Sequence, residues 1–295
     1  MIFGLLKPEY LYRPSQLIKR LIRGNRSGYT NVRLPWGKEI RVSADDNVGS
    51  QIATLGLYDL VITETLWRLC DPGEMALDIG ANIGYTTFVM AQRLQAGLLK
   101  CYEPHPILFR EFFENVESLR QQGCSTEIQT FQKALGPIEG KLPLYVPQDF
   151  AYHRGESSLA APTHIECATE PVIVPVETLD AQLKDNDFIG VMKIDVEGFE
   201  HEVLRGAEKT FANRRVRDCV FEEHQAYPTQ VSRWFESHGY RVFRLDRSFT
   251  RPHLLPPDSP VPRTAWTATN FLATIDPDRT QQRFSKSNWG CLKNR

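Results

Sequence analysis

The chain has 295 residues, of which 41% are hydrophobic and 24% are charged, as in ordinary globular proteins. Its 35 Lys and Arg residues nearly balance its 36 Asp and Glu residues, so the molecule lacks the positive field that attracts phosphate backbones. We therefore expect no nucleic acid partner. No transmembrane segment is expected either, since no apolar run reaches the ~18 residues that a membrane-spanning helix needs.

The cysteines and the N-terminus bear on the compartment. The 6 cysteines lie far apart and form no CxxC pair, which argues against a zinc site or a disulfide framework and predicts a cytoplasmic protein. Residues 1–26 carry six basic residues against Glu9 alone, interleaved with apolar side chains. Such a segment either contacts an anionic membrane surface or an acidic partner, or it packs as an arm with a solvated basic face; the packing arm is favoured.

The order of the predicted elements indicates an α/β fold. A hairpin over residues 32–42 and a helix over 51–69 precede a regular alternation of short apolar strands and helices, which is typical of βαβ units and a parallel sheet. A last strand over 265–274 has no helix before it, so it should pair antiparallel with its predecessor. The other predicted strands span 75–79, 98–102, 128–131, 190–194, 216–221 and 241–245, and the predicted helices 83–94, 106–119, 200–211 and 229–238.

A glycine-containing turn between the strand at 75–79 and the next helix predicts a cofactor site, because glycines let the backbone approach a ligand at a helix N-terminus. Asn82 stands where a pyrophosphate-binding fingerprint needs its second glycine. Asp78 adds a negative charge that suits a sulfonium and repels a pyrophosphate. Glu103 follows the end of the next strand, where a carboxylate can accept hydrogen bonds from the ribose hydroxyls. These features favour S-adenosylmethionine over NAD. In the alternative, the glycines only form a tight turn and Glu103 is a surface charge. The predicted cofactor-binding residues are Asp78, Gly80, Asn82, Gly84, Glu103 and Pro104.

Five short motifs stand out along the chain: Asp78-Ile79-Gly80-Ala81-Asn82-Ile83-Gly84, Tyr102-Glu103-Pro104-His105-Pro106, Ser157-Ser158-Leu159, Glu177-Thr178-Leu179-Asp180, and Lys193-Ile194-Asp195-Val196-Glu197-Gly198-Phe199-Glu200 with Val203-Leu204-Arg205-Gly206-Ala207 after it. Together they resemble the FkbM family of methyltransferases, over about residues 50–275. The resemblance implies a class I methyltransferase fold, which is a Rossmann-like, doubly wound sheet of seven strands, with S-adenosylmethionine as cofactor. It also implies O-methylation of a hydroxyl on a sugar, a polyketide or another secondary metabolite.

On this basis we predict three parts of the chain: a basic arm and β-hairpin at 1–50, a methyltransferase domain at 51–276, and a polar tail at 277–295. Two segments that interrupt the alternation, 147–170 and the proline-rich 251–263, are expected to cover the acceptor. Tyr152, Ser157 and Ser158 are predicted to bind this small-molecule or glycan substrate. The alternative is a pair of surface insertions without a ligand.

The predicted catalytic residues follow two strands, at the edge where open α/β sheets bind ligands. Asp195 and Glu197 follow one strand, and Glu222 and His224 follow the next. His224 is the most natural base for a hydroxyl proton because its ordinary pKa lies near working pH, and Asp195 and Glu222 complete the catalytic set. Glu197 is predicted to bind substrate.

Other roles for these residues remain open. His224 is equally explained as a helix cap or a carboxylate partner, and Asp195 and Glu197 as charges that favour the start of a helix. Asp195, Glu222 and His224 can also ligate a divalent metal, although none is expected. Lys193, inside a buried strand, should have a carboxylate partner.

Two other classes of function are compatible with parts of this pattern. An oxidoreductase would bind NAD, and Asn82 disfavours it. A non-catalytic binding module on the same fold would use the basic arm and the long loops as its surface. The intact turn and Glu103 disfavour that second class.

Overall fold

A computed structural model of the chain describes residues 8–9, 27–160, 170–260 and 269–293. Its centre is an eight-stranded sheet in the order β12 (Pro252–Leu255), β11 (Arg241–Arg247), β13 (Thr269–Thr274), β10 (Val216–Glu223), β9 (Ile189–Ile194), β3 (Met75–Ile79), β4 (Leu98–Tyr102) and β5 (Glu127–Phe131). Strands β3, β4, β5, β9 and β10 are parallel, and β13 runs antiparallel between β10 and β11. The strand order reverses at β3, so a crevice opens beside this strand at the carboxyl edge of the sheet.

The bounds of the elements follow the chain. The strands are β1 (Tyr29–Arg33), β2 (Glu39–Ser43), β3 (Met75–Ile79), β4 (Leu98–Tyr102), β5 (Glu127–Phe131), β6 (Ala134–Leu135), β7 (Gly140–Leu144), β8 (Val172–Glu177), β9 (Ile189–Ile194), β10 (Val216–Glu223), β11 (Arg241–Arg247), β12 (Pro252–Leu255) and β13 (Thr269–Thr274). The α-helices are α1 (Asn47–Leu55), α2 (Leu60–Leu69), α3 (Tyr85–Leu94), α4 (Pro106–Gln121), α5 (Leu179–Gln182), α6 (Glu200–Arg205), α7 (Glu208–Ala212), α8 (Gln230–Ser237) and α9 (Pro277–Phe284).

The predicted class I fold is confirmed, with one strand more than the seven expected. The antiparallel last strand is β13, as predicted, although residues 265–268 lie outside the described part of the chain. The additional strand, β12, lies in the proline-rich segment and pairs antiparallel with the edge strand β11. Pro252 opens β12 at the edge of the sheet, where a residue without an N–H is tolerated.

Several elements differ from the sequence prediction for local reasons. The helix predicted over 51–69 is two helices, because Gly56 adopts φ +75° and ends α1. The helix predicted over 200–211 is likewise divided, between Arg205 and Glu208. A second sheet, in the order β6-β8-β7, was not predicted; its strands are short and lie on either side of the long loop.

The core lies on both faces of the central sheet, as a doubly wound fold requires. One cluster packs α2, α3 and α4 onto the sheet through side chains such as Phe88 and Phe112. The other packs the helices after β9 onto the opposite face, with Phe211 and Phe235 at its centre. Burial on both faces explains why the central strands read as continuous apolar runs.

The N-terminal part of the chain contains the predicted hairpin and the basic arm. The predicted hairpin is present as β1 and β2. Residues 1–7 and 10–26 of the basic arm lie outside the described residues, whereas Glu9 is buried and pairs with Arg247 at 3.1 Å. No helix in the described ranges is long and apolar enough to cross a membrane.

The segment predicted as a polar tail packs onto α2. Trp289 is completely buried, and its indole N–H donates to the carbonyl of Phe249 at 2.9 Å. Arg68 of α2 donates to the backbone carbonyls of Arg283, Lys286 and Asn288. The polar composition of the segment concealed this, because its buried apolar side chains are few: Phe284, Trp289, Cys291 and Leu292. The division of the chain at residue 276 remains a prediction.

Candidate active site

Four strand ends bring the predicted site residues to one edge of the sheet. In the register of the parallel strands, Tyr102 lies beside Ile79, Ile79 beside Ile194, and Ile194 beside Phe221. The residues that follow are Glu103, Gly80, Asp195 and Glu222. They therefore form a row across neighbouring strands, about 5 Å apart from one strand to the next.

The two glycines of the turn are required by its packing. Gly80 has φ +77°, and a Cβ there would lie 1.9 Å from the carbonyl oxygen of Asp195. Gly84 has φ +91°, and a Cβ there would lie 2.7 Å from the ring of Phe112. The space that each missing side chain leaves is thus filled by the protein itself, so neither position admits another residue.

Asp78 lies beneath the turn, completely buried. Its Oδ2 accepts hydrogen bonds from the hydroxyls of Thr86 at 2.8 Å and Thr87 at 2.7 Å, and its Oδ1 lies 3.6 Å from Nζ of Lys193. The structure differs here from the prediction that the Asp78 charge faces a sulfonium, because the Lys193 ammonium takes up that charge inside the protein. The predicted carboxylate partner of Lys193 is present.

Glu103 is 5% exposed and holds the turn. Its Oε2 accepts the N–H of Asn82 at 2.8 Å, and its Oε1 accepts the N–H of His105 at 2.9 Å. Burial raises the pKa of Glu103 to about 7. Since a carboxylate has about four lone-pair sites, both oxygens retain acceptor capacity. This capacity fits the vicinal hydroxyls of a ribose.

The residues around Glu103 are fixed by their own packing and hydrogen bonds. Pro104 is half-buried, and His105 stacks on Phe150 with ring centroids 4.4 Å apart. Burial lowers the pKa of His105 to about 4, so the ring is neutral and its Nδ1 caps the start of α4. Asn82 has φ +51°, and its side-chain oxygen accepts the next N–H, from Ile83, at 2.7 Å. This closed turn leaves no glycine where a pyrophosphate would lie.

His224 and three carboxylates lie at the ends of β9 and β10. Nε2 of His224 lies 3.4 Å from Oε2 of Glu197, and this hydrogen bond raises the pKa of the histidine, which is 53% exposed as a side chain. Asp195 is held by Nζ of Lys193 at 3.2 Å. Burial, together with the charges of Asp195 and Glu197, raises the pKa of Glu222 to about 10. At neutral pH this crowded edge therefore holds one carboxyl group in its protonated form.

The carboxylates and the histidine can also hold a cation. Glu197, Glu222 and His224 each offer a ligand atom, and these atoms lie within 4.8 Å of one another. The set predicted from the sequence contained Asp195 in place of Glu197. Asp195 instead pairs with Lys193, and the turn after β9 directs Glu197 toward the histidine.

The structure brings one of the predicted loop residues to the site. The hydroxyl of Ser158 donates to the backbone carbonyl of Glu197 at 2.5 Å. Ser157 has a buried hydroxyl without a partner among the described residues, and Tyr152 is 49% exposed on the outside of the loop. Arg154 is buried in an ion pair with Glu111, with an N–O distance of 2.5 Å, and thus anchors the loop rather than facing a ligand.

Three residues near the carboxylates were missed by sequence reasoning. Asp59 caps α2 by accepting the N–H groups of Val61 and Ile62, and Asn270 of β13 donates to its other oxygen at 3.3 Å. Asn270 lies directly opposite Glu222. Burial and the nearby carboxylates raise the pKa of Tyr58. An aspartate before an apolar helix was a readable cap signal, but its position beside Glu222 depends on the pairing of β13.

The strand order and the ligand edge define a class I methyltransferase fold. The family model for the methyltransferase FkbM domain matches residues 78–242, which make up more than half of the chain. The chain therefore belongs to the FkbM methyltransferase family. The resemblance found in its motifs is thereby confirmed.

Individual relatives are more distant. "Methyltransferase 1" of Beauveria bassiana is 29% identical over 151 residues, which cover 45% of this chain and 57% of that protein. The chain thus spans little more than half the length of this curated relative. The crystal structure of an FkbM methyltransferase from Methylobacillus flagellatus is 15% identical, with a TM-score of 0.42 over 68% of this chain and 43% of that one. An rRNA methylase from Streptococcus thermophilus is 11% identical, with a TM-score of 0.39 over 72% of this chain and 92% of that one.

Proposed function

We propose that the protein is an S-adenosylmethionine-dependent O-methyltransferase that acts on a hydroxyl of a small molecule or glycan, such as a sugar, a polyketide or another secondary metabolite. Membership of the FkbM family supports the reaction class. The observation that carries the acceptor chemistry is the pair of His224 and Glu197, 3.4 Å apart, at the same sheet edge as the glycine turn. It provides a base where a hydroxyl would need one.

The cofactor role rests on Glu103. S-adenosylmethionine, when bound, supplies the electrophilic methyl group. Glu103 would accept hydrogen bonds from its ribose hydroxyls, since each oxygen of the buried carboxylate can accept another hydrogen bond besides the one it receives from the N–H of Asn82 or His105. Gly80, Asn82 and Gly84 shape the turn, and Pro104 contributes to the crevice wall. Asp78 supports the turn from below.

His224 and Glu197 would act together on the acceptor. The imidazole takes the proton from the hydroxyl, and the carboxylate of Glu197 stabilises the imidazolium that results. The raised pKa of His224 makes it a better proton acceptor than an isolated histidine. Glu222, protonated at neutral pH, can donate a hydrogen bond to a polar acceptor, and Asp195 lies between this group and the turn. Holding the oxygen in line with the methyl group is the larger part of the catalysis.

The charge of the edge supports a neutral acceptor. The charges of Asp195 and Glu197 act on the proposed base, and such a negative field repels polyanions. We therefore propose that nucleic acid is not the substrate. We place the acceptor beneath the segments 147–170 and 251–263, of which 161–169 and 261–263 lie outside the described residues. Ser157 and Ser158 are nearer to it than Tyr152, which is exposed.

A cation at Glu197, Glu222 and His224 is a second candidate, because their ligand atoms lie within 4.8 Å of one another. Carboxylate oxygens and an imidazole suit Mg²⁺ or Mn²⁺. In that case the metal would replace the histidine as the group that activates the hydroxyl. The cytoplasmic location stays a prediction, as does the packing arm at residues 1–26, to which contact with a membrane or an acidic partner is the alternative.

The test is methyl transfer from labelled S-adenosylmethionine to a panel of glycosides, polyketide lactones and a structured RNA, with and without EDTA. We expect label in the hydroxyl compounds and not in the RNA. His224→Gln should lower turnover by about 10²–10⁴-fold while the affinity for S-adenosylhomocysteine changes less than about twofold. His238→Gln is a matched control, because His238 also pairs with a glutamate, Glu208 at 3.0 Å, but lies at the C-cap of α8.

Each alternative has its own signature in this experiment. Activity that survives in His224→Gln and disappears with EDTA would favour the metal over the histidine base. Label in RNA alone would refute the proposed acceptor. Cofactor binding without transfer to any compound would favour the non-catalytic module, and binding of NAD in place of S-adenosylhomocysteine would favour the oxidoreductase.

A further inference from the structure

The peptide bond between Gly80 and Ala81 is held from both sides. The N–H groups of Gly80 and Ala81 both donate to the carbonyl of Tyr102 at 3.0 Å, on β4. The carbonyl of Gly80 accepts a hydrogen bond from Nζ of Lys193 at 2.7 Å, on β9. The orientation of this peptide in the turn is thus set by one backbone group and one side chain, from the two strands that flank β3.

Lys193 is the side chain in this arrangement, and it has three partners. Besides the Gly80 carbonyl, its ammonium lies 3.2 Å from Oδ2 of Asp195 and 3.6 Å from Oδ1 of Asp78. Lysine is rarely buried this completely unless it is paired, and Lys193 is 4% exposed. The ammonium thus contacts three oxygens: it donates a hydrogen bond in the turn, and it forms ion pairs with one carboxylate beneath the turn and one at the catalytic edge.

We propose that Lys193 is a positioning residue that fixes the cofactor turn and the Asp195 carboxylate in one relative arrangement. The inference rests on the proposed function, in which the turn binds S-adenosylmethionine. Lys193 is buried and reaches neither ligand, so it acts through Gly80 and Asp195. Without its ammonium, the Gly80 carbonyl would lose its hydrogen bond from Nζ, and buried Asp78 Oδ1, which accepts no hydrogen bond from the described residues, would lose its ion-pair partner.

The backbone alone does not replace this contact. Asp195 donates its N–H to the carbonyl of Ile79 at 3.1 Å, which joins the strand ends but leaves the Asp195 side chain free to rotate. Lys193 holds Oδ2 of that side chain, and Glu222 is a further hydrogen-bonding partner of the same carboxylate. Removing it should therefore change ligand binding in a protein whose sheet is intact.

The experiment compares the affinity for S-adenosylhomocysteine, by calorimetry, in four folded proteins. These are the wild type, Asp78→Asn, Lys193→Met/Asp78→Asn and Lys100→Met. Removing both charges avoids leaving a buried carboxylate unpaired, and Asp78→Asn alone shows what the loss of that carboxylate does. Lys100→Met is the matched control, because Lys100 lies on neighbouring β4 and donates to a backbone carbonyl, that of Gln182 at 2.8 Å, away from the turn.

We expect the double variant to bind S-adenosylhomocysteine at least about tenfold more weakly than Asp78→Asn, and Lys100→Met to bind within about twofold of the wild type. A purely structural lysine would lower the melting temperature and leave the affinity of the folded protein unchanged. Equal affinity in the double variant and Asp78→Asn would overturn the inference and leave the proposed function intact. If the wild type itself does not bind, the proposed function fails and the inference with it. Should Lys193→Met/Asp78→Asn not fold, Lys193→Gln/Asp78→Asn gives the same readout with a polar side chain at the position.

Discussion

The buried carboxyl group of Glu103 makes a quantitative prediction about pH. Its pKa is about 7 in the free protein, so it is about half protonated at neutral pH. Ribose hydroxyls donate to the ionised form, so binding requires the proton to leave. If only the ionised form binds, the ionised fraction falls from about 0.9 at pH 8 to about 0.1 at pH 6. The affinity for S-adenosylhomocysteine should therefore fall about tenfold across this range.

Calorimetry at pH 6, 7 and 8 measures this effect, and Glu103→Gln provides the direct check. Gln cannot titrate, so this variant should bind more weakly at pH 8 and show no dependence on pH. Glu200→Gln is the matched control: burial also raises the pKa of Glu200 to about 7, but its carboxylate accepts the N–H groups of Val196 and Gly198. Glu200→Gln should keep the tenfold dependence. A flat affinity in the wild type, or an unchanged slope in Glu103→Gln, would refute the assignment of Glu103 to the ribose.

The remaining predictions concern stability and the turn. The folded pKa of Glu200 is raised from 4.5 to about 7, so the stability that its protonated form contributes is complete below pH 4.5 and is lost as pH rises through 7. Glu200→Gln should therefore raise the free energy of unfolding in urea by up to about 3 kcal/mol at pH 8 and leave it unchanged at pH 4. An equal increase at both pH values would contradict this. Gly80→Ala should abolish S-adenosylhomocysteine binding, since its Cβ would lie 1.9 Å from a carbonyl oxygen; normal binding would show that the turn can shift. Arg154→Met removes the cationic partner of the buried Glu111 carboxylate, which keeps the Tyr29 hydroxyl as a donor, and should cost about 3–5 kcal/mol in denaturant unfolding, most of it recovered in Arg154→Met/Glu111→Gln. Trp289→Ala should cost about 3–5 kcal/mol by the same measurement, and an unchanged midpoint would mean that the last segment is not part of the core.

Much of the fold could be predicted because its signals are local. The alternation of apolar strands and helices after residue 75 gave the parallel sheet, and the missing helix before the last strand gave its antiparallel direction. The strand β12 and the small sheet of β6, β7 and β8 could not be predicted in the same way. Their strands are short: β12 is a four-residue hairpin partner of β11 within a proline-rich segment, and β8 pairs with β6 and β7 across the long loop.

The sequence predicts which residues lie at the site, but not which of their side chains contact one another. Residues at strand ends share an edge, which placed Glu103, Asp195 and Glu222 together from the sequence alone. Which groups pair there depends on the direction of each side chain. The Lys193 ammonium forms ion pairs with the carboxylates of Asp195 and Asp78, and Glu197 pairs with His224. A strand pattern fixes the face of a residue and leaves these distances undetermined.

The doubly held peptide of the glycine turn has a thermodynamic consequence. Because Tyr102 and Lys193 already fix the bond between Gly80 and Ala81, a ligand that contacts this turn does not have to order it. Conformational entropy that a flexible loop would lose on association has been lost during folding instead. The turn therefore acts as a preorganised platform. Any ordering that accompanies binding should be confined to other segments around the crevice, and the association rate should depend weakly on changes within the turn that preserve these hydrogen bonds.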